Sequence, residues 1–322
     1  MRVPGLKTAR RVARQFRSRL FGGSIILGYH RITAEGKDPF LLSVSPQNFA
    51  EQLSVIRDLA TPISLSALVQ GLRAGKLPRR ALALTMDDGY ADNLYQAQPL
   101  LERFEIPATI FVVSGCLGQE FWWDELVRLV FTKGMFADGI RLTIAGRMYE
   151  WQMPIDGDVH EQRESLIQIY RALRPLPDWE RKEAMKQIYG WLGDAPIEKP
   201  RHRALTVTEL RTLADSPIIE IGAHTQTHPN LADLSRIEQQ NEIQQSKTQI
   251  EELLERSIAG FSYPNGNSSV ETPSLVQEAG FIYACTSDSN IILPNSDPFY
   301  MPRFWIPDWD GEKFSRWLCK WL

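Results

Sequence analysis

Thr85-Met86-Asp87-Asp88-Gly89 follows the apolar run Ala81-Leu82-Ala83-Leu84. Two adjacent carboxylates at the end of a buried strand are costly to desolvate unless something pairs with them. Far downstream, the run Ile218-Ile219-Glu220-Ile221-Gly222-Ala223 ends in His224-Thr225-Gln226-Thr227-His228. One carboxylate and two imidazoles make a three-ligand set for zinc, with a fourth position left open for water. The remaining carboxylate can then act as a base on that water. This chemistry is metal-assisted hydrolysis.

Each motif also has a plainer reading. Asp-Gly is a common turn dipeptide. On an ideal strand Asp87 and Asp88 would face opposite ways, so they converge only if Gly89 allows an abrupt turn. His224 and His228 would share one face of a helix. Pro229 argues against a long helix there, leaving a loop to bring His228 back. Tyr263-Pro264-Asn265-Gly266 is explained by turn chemistry alone. Its functional reading is a backbone N–H that helps hold an oxyanion.

The elements that must position these residues alternate between apolar runs and helical patterns, as in a parallel α/β fold. Residues 24–29 form a first strand that ends at His30. Ser45 and Pro46 open a helix buried through Phe49, Leu53, Ile56 and Leu59. Further strands are expected at residues 61–65, 108–113, 259–263 and 283–286, and helices at residues 66–73 and around 93–104. Thr206…Glu209 and Ser235…Glu238 are capping boxes, the second opening a long polar helix to about residue 255. The stretch from about 119 to 205 lacks this alternation. It reads as a mostly helical insertion, not an independent domain, with a small hairpin at residues 141–150 around Ala145-Gly146.

At 322 residues, 43% hydrophobic and 23% charged, the chain can bury a sizeable core. Cys116, Cys285 and Cys319 form no CxxC pair, which suits packing roles in a reducing compartment. The net charge is -3 and no nucleic-acid partner is expected. Arg2, Lys7, Arg10, Arg11, Arg14, Arg17, Arg19 and Arg31 all precede the first acid, Glu35. Residues 1–22 therefore read as a basic helix or tail, either solvated or touching anionic lipid head groups. No apolar export region follows it, and no run approaches a membrane span. A cytoplasmic location, membrane-peripheral if the basic segment binds lipid, is the expectation.

The Asp-Asp-Gly, His-x-x-x-His and Phe261-Ser262-Tyr263-Pro264-Asn265-Gly266 motifs together resemble the polysaccharide deacetylase family, the NodB-homology group of carbohydrate esterase family 4. The resemblance covers roughly residues 23–120 and 203–310. It implies a distorted (β/α) barrel of about seven strands over residues 23–322, interrupted by the insertion, with its site at the C-terminal strand ends. It also implies hydrolysis of an N-acetyl group on a sugar or glycan, either a polysaccharide or a lipid-linked oligosaccharide. Asp87 would be the general base. Asp88, His224 and His228 would hold one divalent metal, zinc first, with cobalt, nickel or iron also suited to these donors. The N–H of Asn265 would help hold the oxyanion.

The chain departs from the family in one respect. Many members take a general acid from a late Leu-x-His, and here no histidine follows His228. His160 and His202 lie in the middle region. His30, after the first strand, is assigned the acid role, because first and last strands are neighbours in a barrel. Arg303 would orient Asp87 and lower its pKa, or else be a surface arginine after a proline turn. Trp305 and Trp309 would line a pocket or pack in the core. A non-catalytic carbohydrate-binding barrel, and a deacylase of a small metabolite or O-acetyl ester, are the alternatives.

Overall fold

A computed structural model of the chain describes residues 24–34, 38–131, 139–152, 159–192 and 200–322. The basic segment at residues 1–22 lies outside the described residues. The chain divides into two compact units, one of Met1–Ala34, Leu42–Leu117 and Leu205–Leu322, the other of Glu35–Leu41 and Gly118–Ala204.

The described strands are β1 (Ile25–Tyr29), β2 (Arg31–Ile32), β3 (Ser43–Val44), β4 (Thr61–Pro62), β5 (Ala81–Met86), β6 (Ala108–Val112), β7 (Ile140–Ile144), β8 (Arg147–Trp151), β9 (Ile219–Ala223), β10 (Gly260–Ser262), β11 (Tyr283–Cys285) and β12 (Phe304–Trp305). In the first unit a parallel sheet runs β11-β10-β9-β6-β5-β1-β12, with β4 paired to the start of β5. The Met301 segment closes the ring: Met301 N–H donates to Ala284 O at 2.9 Å, and Thr286 N–H donates to Met301 O at 2.8 Å. These seven strands form a distorted (β/α) barrel.

Strands covered on both faces lose the polar/apolar alternation, and β1, β5 and β6 are buried at every residue. Their side chains still alternate in direction. Ile26, Ala83 and Phe111 join Cys285 and Met301 in a core that includes Leu65, Leu68 and Val69 of the helix Leu65–Ala74. Ile25, Leu27, Leu82 and Leu84 belong to the larger core with Phe49, Leu53 and Ile56 of the helix Pro46–Leu59. Ser45 caps that helix, and both capping boxes close in both directions. The helix Arg236–Leu254, polar in sequence, buries Gln239, Ile243, Ser246, Lys247 and Ile250, so one of its faces packs inward.

The second unit has its own core. The helices Trp122–Val130, Val159–Leu173 and Asp178–Leu192 and the β7–β8 hairpin supply it with Leu126, Leu129, Ile140, Leu142, Leu166, Ile169 and Ile188. Phe121 and Trp123 are buried, and Trp122 stacks on Tyr170 at 5.1 Å.

Candidate active site

The site is built where strands end. Asp87 N–H donates to Tyr29 O at 2.9 Å, so the chain leaves β5 beside the end of β1. Asp88 (φ +72°) and Gly89 (φ +73°) then adopt left-handed conformations in succession. Aspartate tolerates that region through its short polar side chain, and glycine has no penalty there. The turn brings both carboxylates, each no more than 3% exposed, to one place.

The histidine loop is built in a related way. His224 N–H donates to Val112 O at 2.9 Å, and Thr225 (φ +64°) and His228 (φ +58°) are both left-handed. His228 N–H donates to Thr225 Oγ1 at 3.0 Å. One carboxylate pins the loop: Glu242, on the helix Arg236–Leu254, accepts from Gln226 N–H at 2.9 Å, Thr227 N–H at 2.8 Å and the Thr227 hydroxyl at 2.7 Å. Non-glycine residues held at positive φ need such reinforcement, and they gather at functional sites.

The result is a convergent donor set. Asp88 Oδ1 lies 3.5 Å from His224 Nε2 and 3.5 Å from His228 Nε2. All three ligand atoms fall within 4.8 Å of one another. These separations are long for hydrogen bonds. They match donors around a single ion, since ligand bonds of about 2.1 Å at tetrahedral angles place donor atoms about 3.4 Å apart. His224 Nδ1 sits 2.7 Å from Ser262 O, which assigns the proton to Nδ1 and leaves the Nε2 lone pair facing Asp88. Burial lowers the His224 pKa against the pull of Asp87, so the imidazole is neutral, as a ligand must be. The residues fit a divalent metal.

Asp87 is held differently. Arg303, fully buried, donates Nη1 to Oδ1 and Nη2 to Oδ2 at 2.7 Å each, a bidentate pair. The Ser262 hydroxyl donates to Oδ2 at 3.0 Å. Burial pushes the Asp87 carboxyl up, but the Arg303 charge, with His224, the Arg303 hydrogen bonds and His30, outweighs it and holds the group well below its ordinary value. Arg303 is itself fixed by Thr286 O at 3.0 Å, Thr85 Oγ1 at 3.0 Å and Ser262 Oγ at 2.8 Å. Its guanidinium lies over the rings of Trp305 (4.7 Å) and Phe111 (5.6 Å).

The structure therefore brings Asp87, Asp88, His224, His228 and Arg303 together. His30 follows β1 at the same end of the barrel and stacks on Trp305, with ring centroids 4.4 Å apart. Gly28 makes this possible, since a Cβ there would stand 2.8 Å from the Trp305 ring. Asn265 (φ +56°) is the exposed residue of the turn Pro264–Gly266, which follows β10 after the buried Tyr263. Trp309 goes elsewhere, packing beside Trp317 at 6.1 Å. Sequence reasoning missed three supports: Ser262, Thr85 and Glu242. Ser262 lies inside a quoted motif, but nothing local marks its hydroxyl. Glu242 is one acid among many on a polar helix.

The polysaccharide deacetylase family model matches residues 74–139 and 190–284, half of the chain. A Staphylococcus aureus poly-beta-1,6-N-acetyl-D-glucosamine N-deacetylase is 20% identical over 313 residues, 92% of this chain and 82% of that protein. The Escherichia coli K12 protein of the same name is 32% identical over 112 residues, 33% of this chain, and the match spans only 17% of that protein's length. Among solved structures, IcaB from Ammonifex degensii shares the fold with a TM-score of 0.61 at 16% identity, covering 92% of this chain and 97% of that one. The Streptococcus pyogenes deacetylase PplD, solved with acetate, gives a TM-score of 0.60 at 18% identity, covering 91% and 97%.

Proposed function

This chain belongs to the polysaccharide deacetylase family, and from that premise we propose that it removes N-acetyl groups from an N-acetylated glycan by metal-dependent hydrolysis. One observation carries the reading: a buried donor set of Asp88, His224 and His228 lies beside a carboxylate, Asp87, kept ionised by Arg303. The names of the Staphylococcus aureus and Escherichia coli relatives make poly-β-1,6-N-acetylglucosamine the first substrate to try, and the basic residues near the start of the chain make a lipid-linked oligosaccharide the second.

Asp88, His224 and His228 would hold the ion, zinc first by its donor preference. When bound, the metal supplies Lewis acidity, polarising the amide carbonyl and making a water acidic enough to attack at neutral pH. Asp87 is the general base and takes a proton from the attacking water. Arg303 grips both Asp87 oxygens, so the carboxylate cannot rotate away from that proton. The N–H of Asn265 donates to the developing oxyanion. His30, steadied on Trp305, gives a proton to the departing nitrogen as the C–N bond breaks. Acetate and a free amine are the products.

Work in the cytoplasm is part of the proposal, supported by three cysteines that form no disulfide. So is a peripheral contact between the basic residues near the start of the chain and an anionic membrane. No helix among the described residues is long and apolar enough to cross a membrane.

The test is metal content together with acetate release from oligo-β-1,6-N-acetylglucosamine. Zinc-reconstituted, desalted protein is expected to hold about one equivalent. His224→Ala and Asp88→Ala should each lose both the metal and the activity. A well-folded protein that holds no metal would sink the mechanism.

A further inference from the structure

Beyond the metal donors, the base and its arginine, one buried polar cluster joins two parts of the site. Residues 87–93 carry Asp87 and Asp88 at one end and Asp92 and Asn93 at the other. Residues 30–32 carry His30. Asn93, fully buried, donates its Nδ2 to His30 O at 2.9 Å. The same Nδ2 lies 3.2 Å from Asp92 Oδ1, which accepts Ile32 N–H at 2.9 Å. Arg31, 2% exposed, completes the cluster, with its Nε 3.7 Å from Asp92 Oδ2 and its guanidinium 5.1 Å from the centre of the Tyr90 ring. Three consecutive residues, His30, Arg31 and Ile32, are thus tied by Asp92 and Asn93 to the loop that carries the base.

Packing does not account for this arrangement. Asn93 Oδ1 is buried and has no hydrogen-bond partner. A leucine of similar size would fill the space and spare that desolvated acceptor, but it would take the donor from the His30 carbonyl, so the amide serves the His30 backbone. The backbone is also unusual, because Asn93 opens a π-helical turn, Asn93–Ala97, that runs into the helix Gln98–Phe104. Such widened turns are rare and cluster at functional sites.

We infer that Asn93 and Asp92 are positioning residues that hold the His30 backbone in register with the Asp87 loop, so that the imidazole faces the departing nitrogen while the base faces the water. The inference rests on the acid role proposed for His30. Acid and base must act on opposite sides of one amide carbon, and neither β1 nor β5 reaches past its own end. The Asp87 N–H bond to Tyr29 O joins the strand ends themselves, and the Asn93 and Asp92 bonds add the tie that takes hold of the His30 and Ile32 backbone beyond them. A displacement of about 1 Å in such a pair can cost about 10²-fold in rate.

The experiment compares two leaving groups on the zinc-loaded full chain. Oligo-β-1,6-N-acetylglucosamine releases an amine that must be protonated. 4-Nitrophenyl acetate releases a phenolate that needs no proton. Asn93→Leu is expected to lower kcat on the amide about 10²-fold with KM nearly unchanged. On the aryl ester it should stay within about threefold of wild type, with zinc content retained. Asp92→Asn, which keeps the shape and weakens the Arg31 pairing, should follow the same pattern with about a tenfold loss, and it decides the matter if Asn93→Leu does not fold. His30→Gln should show the pattern in full, and adding Asn93→Leu to it should cost little more. Equal losses on amide and ester would overturn the inference by showing a general structural role. Full amide activity in Asn93→Leu beside a damaged His30→Gln would overturn it while leaving the acid role standing. A His30→Gln variant with undiminished amide turnover would remove the acid role, and the inference with it.

Discussion

Strand β9 has a polar cluster at each end, and the two are satisfied in opposite ways. Near its start, Glu220 accepts from Ser66 N–H at 3.2 Å, from the Ser66 hydroxyl and from the Thr109 hydroxyl at 3.0 Å. Ser66 lies in the first turn of the helix Leu65–Ala74, where unpaired N–H groups favour an acceptor. Beyond the other end of β9, His224 faces Asp88 across 3.5 Å with no hydrogen bond between them, and the adjacent Asp87 is neutralised by a buried guanidinium. A carboxylate furnished with neutral donors is a strut that pins a helix to a sheet. Donors that converge without bonding to one another leave room for an ion, and a charge-paired carboxylate beside them stays ionised for proton transfer. A carboxylate with polar neighbours at a strand end would not by itself separate these cases. Partner chemistry does.

That contrast is open to breaking. Arg303→Met should have the largest effect, lowering kcat by about 10²-fold or more as Asp87 loses its orientation. It should also destabilise the metal-free protein by about 3–5 kcal/mol near neutral pH, because a buried charge is left without its partner. The Asp87 pKa is depressed below its ordinary value of 3.8, so its contribution to stability is present above that value and is lost as pH falls through the folded value. In Arg303→Met the carboxyl loses the cation that lowered it and can protonate more readily. The stability gap between wild type and variant should therefore narrow on going from about pH 7 to about pH 3.5 in urea unfolding. A gap that widened would show that Arg303 does not hold the Asp87 charge.

Ser262→Ala should have an intermediate effect. The hydroxyl serves both Asp87 and Arg303, so its loss should cost about 1–3 kcal/mol and about tenfold in kcat. The Ser262 carbonyl still accepts from His224 in this variant, so bound zinc should remain near one equivalent. Metal lost along with the hydroxyl would mean that the base clamp and the donor set are not separable. The smallest effect on activity is expected at the opposite end of β9. Glu220→Gln should keep the metal and turn over within about twofold of wild type, while lowering stability by about 1–2 kcal/mol in the same unfolding assay. A tenfold loss of activity there would end the distinction between strut and site.

Much of the barrel was legible because its signals are local. Uniform apolar runs mark strands covered on both faces, Ser45-Pro46 and the two capping boxes mark helix starts, and chemistry-bearing residues stand where those runs stop. The middle region was harder to read. Its helices and hairpin are separate local patterns, and the core they share through Leu126, Leu142, Leu166 and Ile188 exists only once they pack.

What the sequence by itself determined is the set of groups and their stations: Asp87 and Asp88 after one strand, His224 and His228 after another, His30 after the first. What only the tertiary structure decided is which groups meet and in what state. Arg303 reaches Asp87 across 216 positions of chain, and the His30 ring finds Trp305 because β1 and β12 are paired. His228 turns back because Glu242, on the α-helix that follows, holds the loop between the histidines. Strand and helix preferences act over a few residues and can be read along the chain. Charge pairing and tautomer choice are set by neighbours that the barrel brings together, and no local pattern encodes them.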